Sequence, residues 1–137
     1  VYGSQAFLPY LKASGDGHIV NTSSLFGLIG TPGTGAYSAT KFAVRGYTES
    51  LRIELDMMNC GVSATCVHPG GIRTAINNNA RIGEGVEKLM GVSAETARDR
   101  FDKMLNTTSA NKAARIILKA VEKNARRVVV GLPLDGG

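Results

Sequence analysis

The chain of 137 residues is 43% hydrophobic and 20% charged, a balance that supplies one globular domain with a sizeable core and excludes disordered or fibrous organisation. The net charge of +5 suits an anionic partner, but Lys and Arg are scattered among acids rather than clustered with aromatics, which argues against nucleic acid. No apolar run approaches the roughly 20 residues that a membrane span needs. Cys60 and Cys66 are spaced for neither a zinc site nor a redox pair, which fits a reducing, cytoplasmic setting. His18 and His68 lack partners at metal-ligand spacing, so both read as structural and no metal is expected.

"VYGSQAFLPYLKA", residues 1–13, reads as a helix ending near Gly15, with a kink expected at Pro9. "GHIVNTSS" follows as a short buried strand centred on Ile19 and Val20. Gly27, Gly30, Pro32, Gly33 and Gly35 mark a flexible loop. From Gly35 to about Met58 no Pro occurs, and only Gly46 interrupts a strongly helical composition.

On that helix Arg45, Glu49, Arg52 and Asp56 fall on one stripe of alternating charge. Val44, Leu51, Leu55 and Met58 form a face for burial. Ala36, Ala39, Ala43 and Gly46 form a second, small-residue face that another helix can approach closely. A helix packed on two sides implies a sheet below and a partner beyond, so a homo-oligomer through residues 35–58 is expected.

"GVSATCV" gives a strand at 62–67, apolar enough to be covered on both faces, and "HPGGIRT" breaks it. The polar stretch from Ala75 to Thr107 carries one helix from Ser93 to about Leu105, with Ala97, Phe101, Met104 and Leu105 as its apolar stripe, and suits a substrate-binding lid. Ser109 is placed to cap a final helix through Lys123, with Ala113, Ile117, Ala120 and Val121 toward the core and Asn124 at its C-terminal end. "RRVVVG" supplies the last buried strand. This alternation predicts an α/β fold: a parallel sheet with helices on its faces and right-handed crossovers. Ligands of such sheets bind beyond the carboxyl ends of the strands, where the Ser23–Ser24 and Pro69–Thr74 loops emerge.

Tyr37 and Lys41 lie four residues apart, about one helical turn. A phenol ionises near pH 10 and is a reluctant base at neutral pH. An ammonium within about 4–6 Å favours the phenolate, which brings a tyrosine toward the range of a useful general acid–base. The spacing alone fits two solvated side chains equally well, because the pair nearly continues the charged stripe of Arg45 and Arg52.

The surroundings decide. "NTSSLFGLIGTPGTGAYSATKFAVRGYTESLRIEL" resembles the active-site segment of the short-chain dehydrogenase/reductase family: a strand ending in Ser-Ser, a serine thirteen residues before a tyrosine, then Tyr-x-x-x-Lys. Downstream, "HPGGIRT" resembles that family's Pro-Gly-x-Ile/Val-x-Thr loop. The likeness runs from residue 1 to about Val130, except that residues 75–107 match in position and not in wording.

The resemblance implies a Rossmann-type domain that interconverts an alcohol and a carbonyl with NAD or NADP. Tyr37 would exchange the proton with the substrate, Lys41 would lower the pKa of Tyr37 and bond the nicotinamide ribose, and Ser24 would hold the substrate oxygen. Pro69, Gly70, Ile72 and Thr74 would line the nicotinamide, Thr74 and the Ile72 backbone lying near its carboxamide. Phe26, Leu28, Leu89 and Met90 hint at a hydrophobic small-molecule substrate.

The glycine-rich turn that opens such domains and cradles the pyrophosphate is absent; "GTPGTG" leads into the Tyr37 helix instead. The chain begins with Val1 and reads as helix from its first residues, so residues 1–137 are expected to be the C-terminal part of one domain that lacks its dinucleotide-binding half. Alone it is expected to bind dinucleotide weakly or not at all. The alternatives are a scaffold that keeps the fold without turnover, which an intact upstream turn would argue against, and a serine hydrolase, which the lack of a G-x-S-x-G elbow disfavours.

Overall fold

The computed structural model describes residues 1–74, 76, 85–105 and 107–131. Along the chain its elements are α1 (Tyr2–Ser14), β1 (Gly17–Thr22), a 3-10 turn (Leu25–Gly27), α2 (Gly35–Met58), β2 (Val62–Pro69), β3 (Ile72–Arg73), α3 (Val86–Met90), α4 (Ala94–Leu105), β4 (Thr108–Ser109), α5 (Ala110–Glu122) and β5 (Arg127–Val130).

The three apolar strands form a parallel sheet in the order β1-β2-β5. β2 is central, and every residue from Ala64 to His68 is buried, as a strand covered on both faces requires. Side chains alternate across it. Val62 and Ala64 join Ile19 of β1 and Leu51 and Leu55 of α2, with Leu8 and Leu11 of α1 packed alongside. Val67 points the other way, into a cluster with Ala113 of α5 and Val130 of β5. The sheet is thus an α/β layer with helices on both faces, as expected.

The handedness differs from expectation. The chain advances in one direction across the sheet, yet α2 and α5 cover opposite faces, so the crossovers β1–α2–β2 and β2–α5–β5 have opposite hands. The usual right-handed preference comes from short connections that fold straight back onto the sheet. The second connection is long enough to hold α3, α4 and the small parallel β3–β4 pair, in which Ile72 lies opposite Thr108. That excursion frees α5 to return on the far side.

Helix ends follow local chemistry. Ser109 Oγ accepts the Lys112 N–H at 3.2 Å and caps α5. Asn59 and Asn124, beyond α2 and α5, take the left-handed conformation, φ 47 and 51, which Asn tolerates better than most residues. α1 runs unbroken through Pro9, and β2 continues through Pro69 rather than ending at Val67. Within the stretch read as a lid, residues 75, 77–84 and 106 lie outside the described residues, as do the side chains of Phe101, Met104 and Leu105. Ala97 of the same stripe is buried.

Two residues of α2 exchange their expected places. Met58 is 51% exposed rather than in the core. Arg52, placed by the sequence on a solvated stripe, is only 7% exposed. Its Nη1 donates to the carbonyls of Ala64 at 3.1 Å and Asn124 at 3.3 Å, and its Nε to Asp56 at 2.9 Å. A buried guanidinium is tolerated when its donors are matched in this way. It staples the end of α2 to β2 and to the turn before β5. Arg52→Met keeps the aliphatic stem and removes all three bonds; denaturant unfolding of the intact protein should show a loss of about 2–4 kcal/mol.

Candidate active site

Both suspect loops leave the sheet at its carboxyl edge, as expected of a ligand site in such a fold. Tyr37 and Lys41 reach this edge because they share the helical stripe of Val44, Thr48, Leu51 and Leu55, the stripe that faces the strands. Beyond the strand ends that stripe lies over the 3-10 turn rather than over the sheet, and Tyr37 there is 48% exposed.

Lys41 Nζ donates to the carbonyl of Thr22, the last residue of β1, at 3.2 Å, and lies 5.6 Å from the centroid of the Tyr37 ring. The Tyr37 ring also meets Phe26 edge to face, with centroids 6.2 Å apart. Ser24 is buried at the tip of β1, in extended conformation. Its Oγ accepts the Phe26 N–H at 3.1 Å, which leaves the hydroxyl proton as its available donor. The 3-10 turn thus links Ser24 to the Tyr37 ring through Phe26.

The turn is pinned to α2. Ser23 Oγ donates to the Lys41 carbonyl at 2.8 Å, and Arg45 Nη1 donates to the Gly27 carbonyl at 3.5 Å. Gly27 is so close that a Cβ there would collide with Ser23 Oγ and lie 2.9 Å from the Lys41 carbonyl oxygen. Only glycine allows this approach.

Of the second predicted group, Pro69, Gly70 and Ile72 are half-buried and Thr74 is exposed. Gly70 is required for an internal reason: a Cβ would press on Leu25 and on the Gly131 carbonyl. Its N–H donates to Val130 O and that of Gly71 to Gly131 O, so this turn is an extension of the β2–β5 ladder. Thr74 Oγ1 accepts the Ile76 N–H at 3.4 Å. Of the apolar candidates, Phe26 and Leu28 are half-buried in the turn, while Leu89 and Met90 are exposed on α3. A Cβ on Gly33 would lie 3.7 Å from Leu89, so α3 borders the loop before α2.

Sequence reasoning missed the roles of Ser23 and His68. The ring of His68 is completely buried, with Nδ1 3.0 Å from the Ser24 carbonyl oxygen; His18 is hydrogen-bonded to Thr65 at 2.8 Å. Among the described residues no group of three His, Cys, Asp or Glu is placed to hold a metal, and no helix is long and apolar enough to cross a membrane.

A parallel sheet layered between helices, with a serine at one strand tip and a Tyr–Lys pair over the carboxyl edge, defines a Rossmann-type α/β domain of the kind that oxidoreductases use. The sequence profile described as short chain dehydrogenase matches residues 1–85, and the chain belongs to that family. SadH of Mycobacterium tuberculosis is 52% identical over 132 residues, which cover 96% of this chain and 46% of SadH. Oxidoreductase BOA17 of Botryotinia fuckeliana is 35% identical over 137 residues, covering 96% and 48%. The chain therefore spans about half the length of these relatives.

Among solved structures, a short chain dehydrogenase/reductase from Burkholderia phymatum in complex with NAD has a TM-score of 0.76 at 23% identity, over 93% of this chain and 47% of its own. A short chain dehydrogenase from Burkholderia cenocepacia in complex with NADP has a TM-score of 0.66 at 26% identity, over 93% and 43%.

The two histidines make stability depend on pH. Burial, first of all, holds His68 below its ordinary 6.5; Arg45 and Arg127 add to this, while the bond to Ser24 and the charge of Glu49 oppose it. Burial and Arg52 lower His18 in the same direction. Below pH 6.5 the unfolded chain takes up protons that the folded chain refuses, so this stability is complete above that value and is lost as pH falls through it. Thermal unfolding of the intact protein should show a lower Tm at a pH of about 5.5 than at about 7.5.

Proposed function

We propose that the protein to which this chain belongs is an NAD(P)-dependent oxidoreductase that interconverts an alcohol and a carbonyl, with Tyr37 as general acid–base. The observation that carries this reading is the Lys41 ammonium held one turn from the Tyr37 ring, over the strand end that presents Ser24. The match to short chain dehydrogenases supports it, as do the NAD and NADP complexes of proteins with the same fold.

The donor set suits a nicotinamide dinucleotide. Lys41 Nζ has three N–H donors and makes one hydrogen bond within the described residues, to Thr22, so it has donors to offer ribose hydroxyls. Thr74 is exposed at the end of the second loop and offers a hydroxyl to a carboxamide. Tyr37, Lys41, Pro69, Gly70, Ile72 and Thr74 would hold this group, and when bound it would supply the hydride chemistry.

The chain's own residues handle the oxygen and the proton. The Ser24 hydroxyl, its lone pair engaged by Phe26 N–H, donates to the substrate oxygen and stabilises the charge that develops there. Tyr37 gives its proton to that oxygen during reduction and takes one back during oxidation. Lys41 Nζ, 5.6 Å from the centroid of the Tyr37 ring, sets a positive charge beside the group that exchanges the proton. Phe26, Leu28, Leu89 and Met90 border the same edge and suit a hydrophobic small molecule.

The open face of α2 supports a homo-oligomer. Ala36, Ala39, Ala43 and Gly46 are all exposed, with Ile53 and Met57 exposed further along the helix, and small residues allow close helix–helix approach. The two free cysteines suit a reducing compartment such as the cytoplasm.

In the intact enzyme, Tyr37→Phe should abolish turnover, measured by dinucleotide absorbance, while dinucleotide affinity stays nearly unchanged; retained turnover would reassign the proton donor. The 137-residue chain alone, titrated with NAD and NADP in a calorimeter, should show no micromolar binding. Binding at that level would mean that residues 1–137 hold the dinucleotide without an upstream glycine-rich turn.

A further inference from the structure

His68 takes no part in the chemistry above, yet its ring is enclosed at 0% exposure. Its Nδ1 lies 3.0 Å from the Ser24 carbonyl oxygen. That oxygen can only accept, so the ring must carry a proton on Nδ1 and donate it. The same oxygen accepts the Gly27 N–H at 3.0 Å, so both of its lone pairs are engaged. The other ring nitrogen, Nε2, has no partner among the described residues. A buried acceptor left unpaired is destabilising, and an apolar side chain of similar size would fill the space without that cost. The polar ring makes sense here through what Nδ1 does.

The sheet's own bonds stop short of the serine. The last of them joins Ser23 N–H to the Val67 carbonyl at 2.7 Å; beyond it, the hydrogen bond that ties Ser24 to β2 among the described residues is the one from the His68 ring. We infer that His68 is a positioning residue, whose Nδ1–H clamps the Ser24 carbonyl and so fixes where the Ser24 hydroxyl points. Three ties then hold Ser24: His68 and Gly27 on its carbonyl, and Phe26 N–H on its Oγ. Loss of the first lets Ser24 turn about its backbone and carries the hydroxyl away from the substrate oxygen. The inference rests on the role of Ser24 proposed above.

Two variants of the intact enzyme test it. His68→Leu fills the space without a donor, whereas His68→Asn places an amide N–H close to the position of Nδ1. His68→Leu should lower kcat/KM for the alcohol or carbonyl on the order of tenfold or more, with the KM for dinucleotide unchanged, and His68→Asn should recover most of the loss. Unchanged kcat/KM in His68→Leu with only a lower Tm overturns the proposal, as does an equal loss in both variants. Nitrogen-15 NMR of the unsubstituted protein gives a readout independent of turnover and of variant folding: the clamp requires the Nδ1–H tautomer, and an Nε2–H tautomer overturns it. Should Tyr37→Phe keep full activity, the proposed reaction fails while the tautomer still decides whether the clamp exists.

Discussion

A mismatch in length governs where the functional groups fall. α2 has 24 residues and spans roughly 36 Å at 1.5 Å per residue. The strands beneath it have six and eight residues, roughly 20 to 26 Å at 3.3 Å each. The C-terminal end of the helix is fixed by Arg52 on Ala64 and Asn124, so the excess length projects past the opposite, carboxyl end of the strands. Tyr37 and Lys41 occupy that overhang on the stripe that further along buries Leu51 and Leu55. One amphipathic pattern builds the core over the sheet and presents Tyr37 and Lys41 beyond it.

Much of this is legible in the residues. A stretch without Pro that follows a run of glycines marks α2 from Gly35 to about Met58, because helix limits are set largely by local backbone preferences. Ser109 as a cap and the apolar run before His68 are local in the same sense. The candidate site is legible for a different reason: the spacing of Ser24, Tyr37 and Lys41 resembles a known pattern, and the fold sets all three at the carboxyl edge.

What escaped depends on contacts between distant parts of the chain. Arg52 sits in a charged pattern and looks solvated until the carbonyls of Ala64 and Asn124 are brought to it. Met58 looks apolar and internal until the helix is seen to end beside Lys12, whose Nζ lies 3.0 Å from its sulfur. The opposite hands of the crossovers, the two-residue β3–β4 pair and the 3-10 turn likewise have no periodic signal in so few residues. His68 reads as structural, and the unusual fact about it, a bond to the carbonyl of Ser24, is visible only once β1 and β2 lie side by side.

Among the described residues, the order β1-β2-β5 leaves β1 with a neighbour on one side only. Its other flank presents a row of unpaired peptide groups along six residues, beside Val20, which is exposed. Such a border is a template onto which any extended chain can add, another copy included. Left uncovered at high concentration, this border therefore favours association between chains.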